Sequence, residues 1–253
     1  VADPLSTAQL ERLGKRLIAA DSPSESDLQV LHELLAVRSE LLEAAIGRVK
    51  DELALDLTSR VKNTGTILEK LRRQGGWSLG TMQDIAGMRI VGDFDRRGQD
   101  EVVDGLVRAF SDGERAPKVI DRRGTPMHGY RAVHVVVFPG GAPSEIQVRT
   151  PWQHEWAELF EKLADLVGRG VRYGEPARAP ASVGADQAAL ITEAASKLVV
   201  ITIEISKVLD HLELNQARDL LDPDEMDLFQ RIMARQREFI EEFAESLSPP
   251  DTL

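Results

Sequence analysis

The stretch Gly129-Tyr-Arg-Ala-Val-His-Val-Val-Val-Phe-Pro-Gly-Gly-Ala-Pro-Ser-Glu-Ile-Gln-Val-Arg-Thr150 limits what this chain can fold into more than any other. Residues 131–138 are rich in β-branched and apolar side chains, Pro139 to Pro143 supply turn residues, and residues 144–149 alternate. The pattern predicts a β-hairpin. On its second strand Glu145, Gln147 and Arg149 point one way, Ile146 and Val148 the other. Three long polar side chains on one strand face are costly if that face is dry. Either the face lines a polar cleft, or the strand is a solvated edge, because antiparallel sheets often wet one face.

Helical patterns bracket the hairpin. Residues 5–20 carry the stripe Leu5, Leu10, Leu13, Leu17 and Ile18, and Asp21-Ser-Pro-Ser24 breaks it. The serines and Asp27 can cap a longer helix that runs to about Leu57. Asn63-Thr64 can cap a third helix through Arg73, with Gly75-Gly76 as its stop. Asp84 stands at the mouth of a strand reaching Val91; a helix at 100–110, a short strand at 116–121 and a loop at 122–129 follow. Pro151 opens a helix to about Val167.

Residues 168–184, rich in Gly, Pro and Ala, read as a linker or loop. Helices at about 185–214 and 223–247 are split by Asp222-Pro223, and the first is apolar enough to need another surface: the N-terminal helices or a second copy. Helices, then a β/α region at 84–150, then helices make the class α+β rather than doubly wound. The expected segments are 1–57, 58–167 and 185–247.

The net charge of −11 argues against a broad nucleic-acid-binding surface, and the absence of cysteine excludes disulfide and thiolate chemistry. No stretch approaches the ~20 apolar residues of a membrane span, and the start lacks the features of a signal peptide, so a cytoplasmic location is expected. Charge is unevenly spread, however. Residues 60–73 hold Arg60, Lys62, Lys70, Arg72 and Arg73 against Glu69; residues 115–131 hold Arg115, Lys118, Arg122, Arg123 and Arg131 against Asp121. Basic islands in an acidic chain fit local capture of a small polyanion, or else solvated faces. The helix start at Asn63-Thr64, near Arg60 and Lys62 and with Thr66 and Lys70 on one face, is where phosphate binds well: free N–H groups, a favourable dipole end and cations.

Asp84 and Glu145 are the carboxylates flanked by these cations. Acids near phosphates usually act through Mg²⁺, which takes one or two carboxylates and leaves positions for phosphate oxygens. Glu145 could instead be a base for an attacking hydroxyl. The plainer readings are a cap for Asp84 and an ion pair with Arg149 or Arg131 for Glu145. Tyr130 could stack on a nucleobase or close the sheet edge. His134 alone is more often structural than a ligand, and the five histidines show no zinc spacing.

The set Arg60-Val-Lys62, Thr66 to Lys70, Asp84-Ile-Ala-Gly-Met-Arg89, Gly129-Tyr-Arg-Ala-Val-His134, Glu145-Ile-Gln-Val-Arg-Thr150 and Trp156-Ala, in this order across about residues 45–165, resembles the synthetase domain of RelA/SpoT alarmone synthetases, of the small type. The resemblance implies a nucleotidyltransferase-like mixed sheet flanked by helices, with a C-terminal helix pair that supports homo-oligomers. It implies Mg²⁺-dependent transfer of pyrophosphate from ATP to the 3′-hydroxyl of GDP or GTP, with AMP leaving. By position, Asp84 and Glu145 resemble the catalytic and metal-binding acids. Arg60, Lys62, Thr66, Lys70 and Arg89 resemble the ATP contacts. Tyr130, Arg131, His134, Gln147, Arg149 and His128 fall on the acceptor side. The run Asp121-Arg-Arg-Gly-Thr-Pro-Met-His128 lacks the family's tyrosine and Pro-Lys pair, and Phe160-Glu161-Lys162 stands where Glu-His-Lys is usual. The altered 121–128 loop admits a second reading, a toxic relative acting on an adenine nucleotide or a tRNA 3′ end; a third, a silent nucleotide-binding protein, has the retained acids Asp84 and Glu145 against it.

Overall fold

The computed structural model describes residues 2–3, 5–74, 79–180 and 183–247. The chain divides into two compact units: Val1–Gly92, Asp100–Ile120 and Val133–Val148 form one, and Asp93–Gln99, Asp121–Ala132 and Arg149–Leu253 the other.

In the first unit, α1 (Thr7–Leu17) starts at a capping box in which Ser6 and Gln9 satisfy each other's amides. Ser24 caps α2 (Glu25–Leu53) by accepting the Asp27 N–H. The pattern carried α2 to about Leu57. It stops at Leu53 because Ala54 turns left-handed (φ 51°) and returns its N–H to the Lys50 carbonyl. α3 (Thr64–Gln74) begins where Asn63 Oδ1 accepts the Thr66 N–H at 2.8 Å; the expected Gly75-Gly76 stop lies outside the described residues. Leu10, Leu13 and Leu17 pack with Leu31, Leu34, Ile67 and Leu71 in one apolar core.

Above that core lies a five-stranded mixed sheet of β1 (Thr58–Val61), β2 (Ala86–Val91), β3 (Lys118–Asp121), β4 (Val133–Val137) and β5 (Ser144–Arg149), in the order β1-β2-β5-β4-β3. β4 and β5 form the hairpin, paired Val133↔Val148 through Val137↔Ser144. A short 3₁₀ turn at Pro139–Gly141 joins them, with Gly140 and Gly141 at φ 56° and 80°. β5 sits in the middle of the sheet, so the solvated-edge reading of its polar face does not hold. β1 has no counterpart in the sequence reading. It is four residues long and mostly exposed, with no apolar alternation to announce it.

α4 (Arg96–Ala109) starts four residues before the patterned stretch because the Asp95 carboxylate accepts the Gly98 N–H at 3.0 Å. In the second unit, Thr150 caps α5 (Pro151–Val167), whose first residue is the proline. Residues 168–180 are not a free linker: a 3₁₀ turn at Arg169–Tyr173 follows α5, and Val171 and Ala177 are buried. α6 (Ala185–Gln216) and α7 (Pro223–Ser246) then pack with α5. Trp156, Phe160 and Leu163 meet Ile205, Leu209, Phe229 and Met233 in this unit's core. α5 is thus a surface that the helix pair covers, while Leu190, Val200 and Ile201 stay exposed. Among the described residues no helix is long and apolar enough to cross a membrane.

Candidate functional site

The polar face of the central strand opens on a cleft of about 170 Å³ in the first unit, lined by Arg60, Lys62, Asp84, Arg89, Glu145 and Gln147. β1 and β2 pair antiparallel with Thr58 opposite Arg89, which puts Arg60 and Arg89 on neighbouring strands. Lys62 follows β1 directly, and its N–H donates to the Ile85 carbonyl at 2.7 Å, fixing it beside the segment that carries Asp84. Gly87 is where β2 passes closest to β5: a Cβ there would stand 2.8 Å from the Glu145 carbonyl oxygen.

Asp84 is held by two lysines, Lys70 Nζ at 2.7 Å and Lys62 Nζ at 3.2 Å. Burial pushes its carboxyl up, but the two ammonium groups outweigh burial and leave it below the usual aspartate value. Glu145 Oε1 lies 3.0 Å from His134 Nδ1, and Oε2 accepts from Gln147 Nε2 at 2.8 Å. Burial and the field of Asp84 push Glu145 up; the His134 and Gln147 contacts prevail, and it too falls below its ordinary value. Asp84 and Glu145 line the same cleft. Asp84 bonds two lysines rather than capping, and within its own unit Glu145 contacts His134 and Gln147.

Both acids are ionised at neutral pH and face one cleft, with side-chain exposures of 28% for Asp84 and 13% for Glu145. The pair could hold a magnesium ion, which takes one or two carboxylates and leaves positions for phosphate oxygens. Among the described residues there is no cluster of three or more His, Cys, Asp or Glu suited to an all-protein metal site. Thr66 is not at the cleft wall; its hydroxyl donates to Asn63 Oδ1 at 2.9 Å at the start of α3. Lys70, one turn further on, reaches Asp84.

The remaining sequence candidates lie in the second unit. Arg149 is buried at the end of β5; its Nη2 donates to the Tyr130 hydroxyl at 3.0 Å, and its guanidinium carbon lies 5.1 Å from the Tyr130 ring centre. The turn before Tyr130 needs glycine: Gly129 has φ 87°, and a Cβ there would meet the Trp156 ring at 2.7 Å. Arg131 is turned into α6. Its Nε donates to the Ser206 carbonyl and hydroxyl at 3.1 Å each, and its Nη1 lies 3.1 Å from Asp210. His128 is exposed at φ 49° and packs on Gly174. Arg123, in the departing loop, pairs with Asp121 at 2.7 Å.

Sequence reasoning missed Ser206, Asp210 and Glu213. Their signal was present: with Thr202 they recur at intervals of four, four and three on a helix read only for its apolar residues.

Residues 59–164 match the family model described as the region found in RelA / SpoT proteins. An uncharacterised protein of Mycobacterium tuberculosis is 38% identical over 177 residues, which cover 68% of this chain and 63% of that protein. The GTP pyrophosphokinase YjbM of Bacillus subtilis is 34% identical over 121 residues, 42% of this chain and 54% of that protein. The chain thus spans less than two thirds of the length of these relatives. In fold it is similar to the small alarmone synthetase 1 of Bacillus subtilis bound to its product pppGpp. The TM-score is 0.52 at 22% identity, over 76% of this chain and 97% of that one.

Proposed function

Because residues 59–164 of this chain are a RelA/SpoT region, we propose that it makes alarmones, moving pyrophosphate from ATP to the ribose 3′-hydroxyl of GDP or GTP and releasing AMP. In that reaction the 3′-hydroxyl gives up its proton to solvent as its oxygen bonds to the β-phosphorus. The bond from the β-phosphorus to the oxygen bridging the α-phosphate breaks, and its electron pair leaves with AMP. The observation that carries the reading is the cleft in which Asp84 and Glu145 stand among Arg60, Lys62 and Arg89.

The cationic side chains bind and orient the triphosphate, work that dominates phosphoryl-type transfer because the protein supplies little covalent chemistry. Lys62 and Lys70 neutralise Asp84 and can turn to phosphate oxygens when the nucleotide enters. Asp84 and Glu145 are the residues that would hold Mg²⁺, which supplies charge neutralisation on the phosphate oxygens. A carboxylate held below its ordinary pKa is a weak proton acceptor, so Glu145 serves better as a metal ligand than as the base. Tyr130 stacks on guanine, its hydroxyl fixed by Arg149. The pairing of Arg123 with Asp121 leaves the departing loop less suited to an RNA backbone, which favours the guanosine acceptor. The exposed Leu190, Val200 and Ile201 of α6 provide an apolar face for a second copy.

The test is a product analysis by mass spectrometry with Mg²⁺, ATP and a panel of GMP, GDP, GTP, ADP and tRNA. The expected result is a 3′-pyrophosphorylated guanosine nucleotide with an equal amount of AMP, lost in Glu145→Gln. Turnover onto an adenine or tRNA acceptor alone, or no turnover, would overturn it.

A further inference from the structure

α6 carries a buried polar stripe. Thr202, Ser206 and Glu213 are at most 1% exposed. Polar groups placed so deeply are costly unless bonded: the Thr202 hydroxyl donates to the Leu198 carbonyl and accepts from Gln236 Nε2, while Ser206 and Glu213 are bonded to the chain around Tyr130 and to the start of α5. The Ser206 hydroxyl donates to the Gly129 carbonyl and accepts from Arg131 Nε. Asp210 takes both Arg131 and Arg96. Glu213 accepts from Arg96 Nε at 3.0 Å, from Gln153 Nε2 at 2.9 Å and from the Thr150 hydroxyl. The Thr202 carbonyl accepts the Trp156 indole N–H at 2.7 Å, which steadies the ring under Gly129.

The residues on either side of Tyr130 are therefore both tied to α6. A backbone anchored at both neighbours by charged and hydroxyl groups has its direction fixed more closely than apolar packing alone would fix it. Gly129 cannot supply that stiffness, since glycine is the least restrained residue. We propose that Ser206 and Asp210 are positioning residues for Tyr130, setting affinity for the acceptor while leaving ATP binding and the chemical step untouched. The proposal rests on Tyr130 being the acceptor-stacking residue. It places a determinant of acceptor recognition on α6, beyond the RelA/SpoT region at 59–164.

The experiment compares wild type with Ser206→Ala, Asp210→Asn and Asp210→Glu by steady-state kinetics and by amide hydrogen exchange in segment 127–132. In Ser206→Ala and Asp210→Asn the acceptor KM should rise by about 5- to 30-fold. The ATP KM and kcat should hold, exchange in 127–132 should speed up, and Asp210→Glu should restore most of the acceptor affinity. An unchanged acceptor KM, or both KM values and kcat moving together with a lowered Tm, overturns the proposal and leaves a merely structural network. If wild type makes no guanosine product, the proposed reaction fails on its own account. GDP binding measured by titration then takes the place of the acceptor KM: a Kd raised about 5- to 30-fold in Ser206→Ala and Asp210→Asn but restored in Asp210→Glu supports positioning, and an unchanged Kd or no GDP binding overturns it.

Discussion

Asp84 and Glu145 are two acids kept ionised by different neighbours: lysines for one, a histidine and a glutamine for the other. Both lie below the ordinary carboxylate values of 3.8 and 4.5. A depressed carboxylate contributes stability that is fully present above its unfolded pKa and lost as pH falls through the folded one. The thermal midpoint of the wild type should therefore drop more steeply below about pH 4 than that of Asp84→Asn. Parallel slopes in a pH series of melting curves would contradict the lysine–Asp84 pairing. Tyr130 is tested separately. Base stacking is worth ~1–3 kcal/mol, so Tyr130→Ala should raise the acceptor KM about 5- to 150-fold. The ATP KM should stay where it is, and equal changes in both would remove Tyr130 from the acceptor site.

At the scale of elements, the close passage of β2 and β5 at Gly87 holds the two acids in one cleft. Gly87→Ala should force the strands apart and cost ~1–3 kcal/mol in urea unfolding, as overpacking does, with a larger loss of activity than of stability. Unchanged denaturation midpoint and activity would mean the strands can part freely. What was legible beforehand follows the strength of local signals. The hairpin was readable because β-branched runs flank a Pro-Gly-Gly turn, α5 because Thr150-Pro151 announces its start, and the α6–α7 break because of Asp222-Pro223. β1 was not, because an exposed four-residue strand has no apolar face to pattern it. The end of α2 depends on one left-handed alanine, a conformation no periodicity foretells. In the site, residue types and spacing picked out Asp84 and Glu145, but their partners Lys62, Lys70, His134 and Gln147 come from cross-strand and tertiary placement. Arg131, which the resemblance put on the acceptor side, bonds Ser206 and lies against Asp210, partners that tertiary placement alone supplies.

At the scale of the molecule, a chain of net charge −11 concentrates cations where a nucleotide triphosphate would lie. Local attraction of that kind is screened by salt, and the rate of ATP capture should fall as ionic strength rises. The exposed α6 residues give a further expectation. Leu190→Glu combined with Ile201→Glu should shift the protein to a smaller species in light scattering, and an unchanged mass would exclude that face as the contact. The proposed reaction has Asp84 and Glu145 act together on ATP in the cleft they share. Its most direct test is transfer of label from ATP carrying isotope in the β-phosphate, with GDP or GTP as acceptor. Label should appear in the 3′-pyrophosphate of the guanosine product and not in AMP, and transfer should be abolished in both Asp84→Asn and Glu145→Gln. Label retained in ATP or ADP, or transfer that survives either substitution, would contradict it.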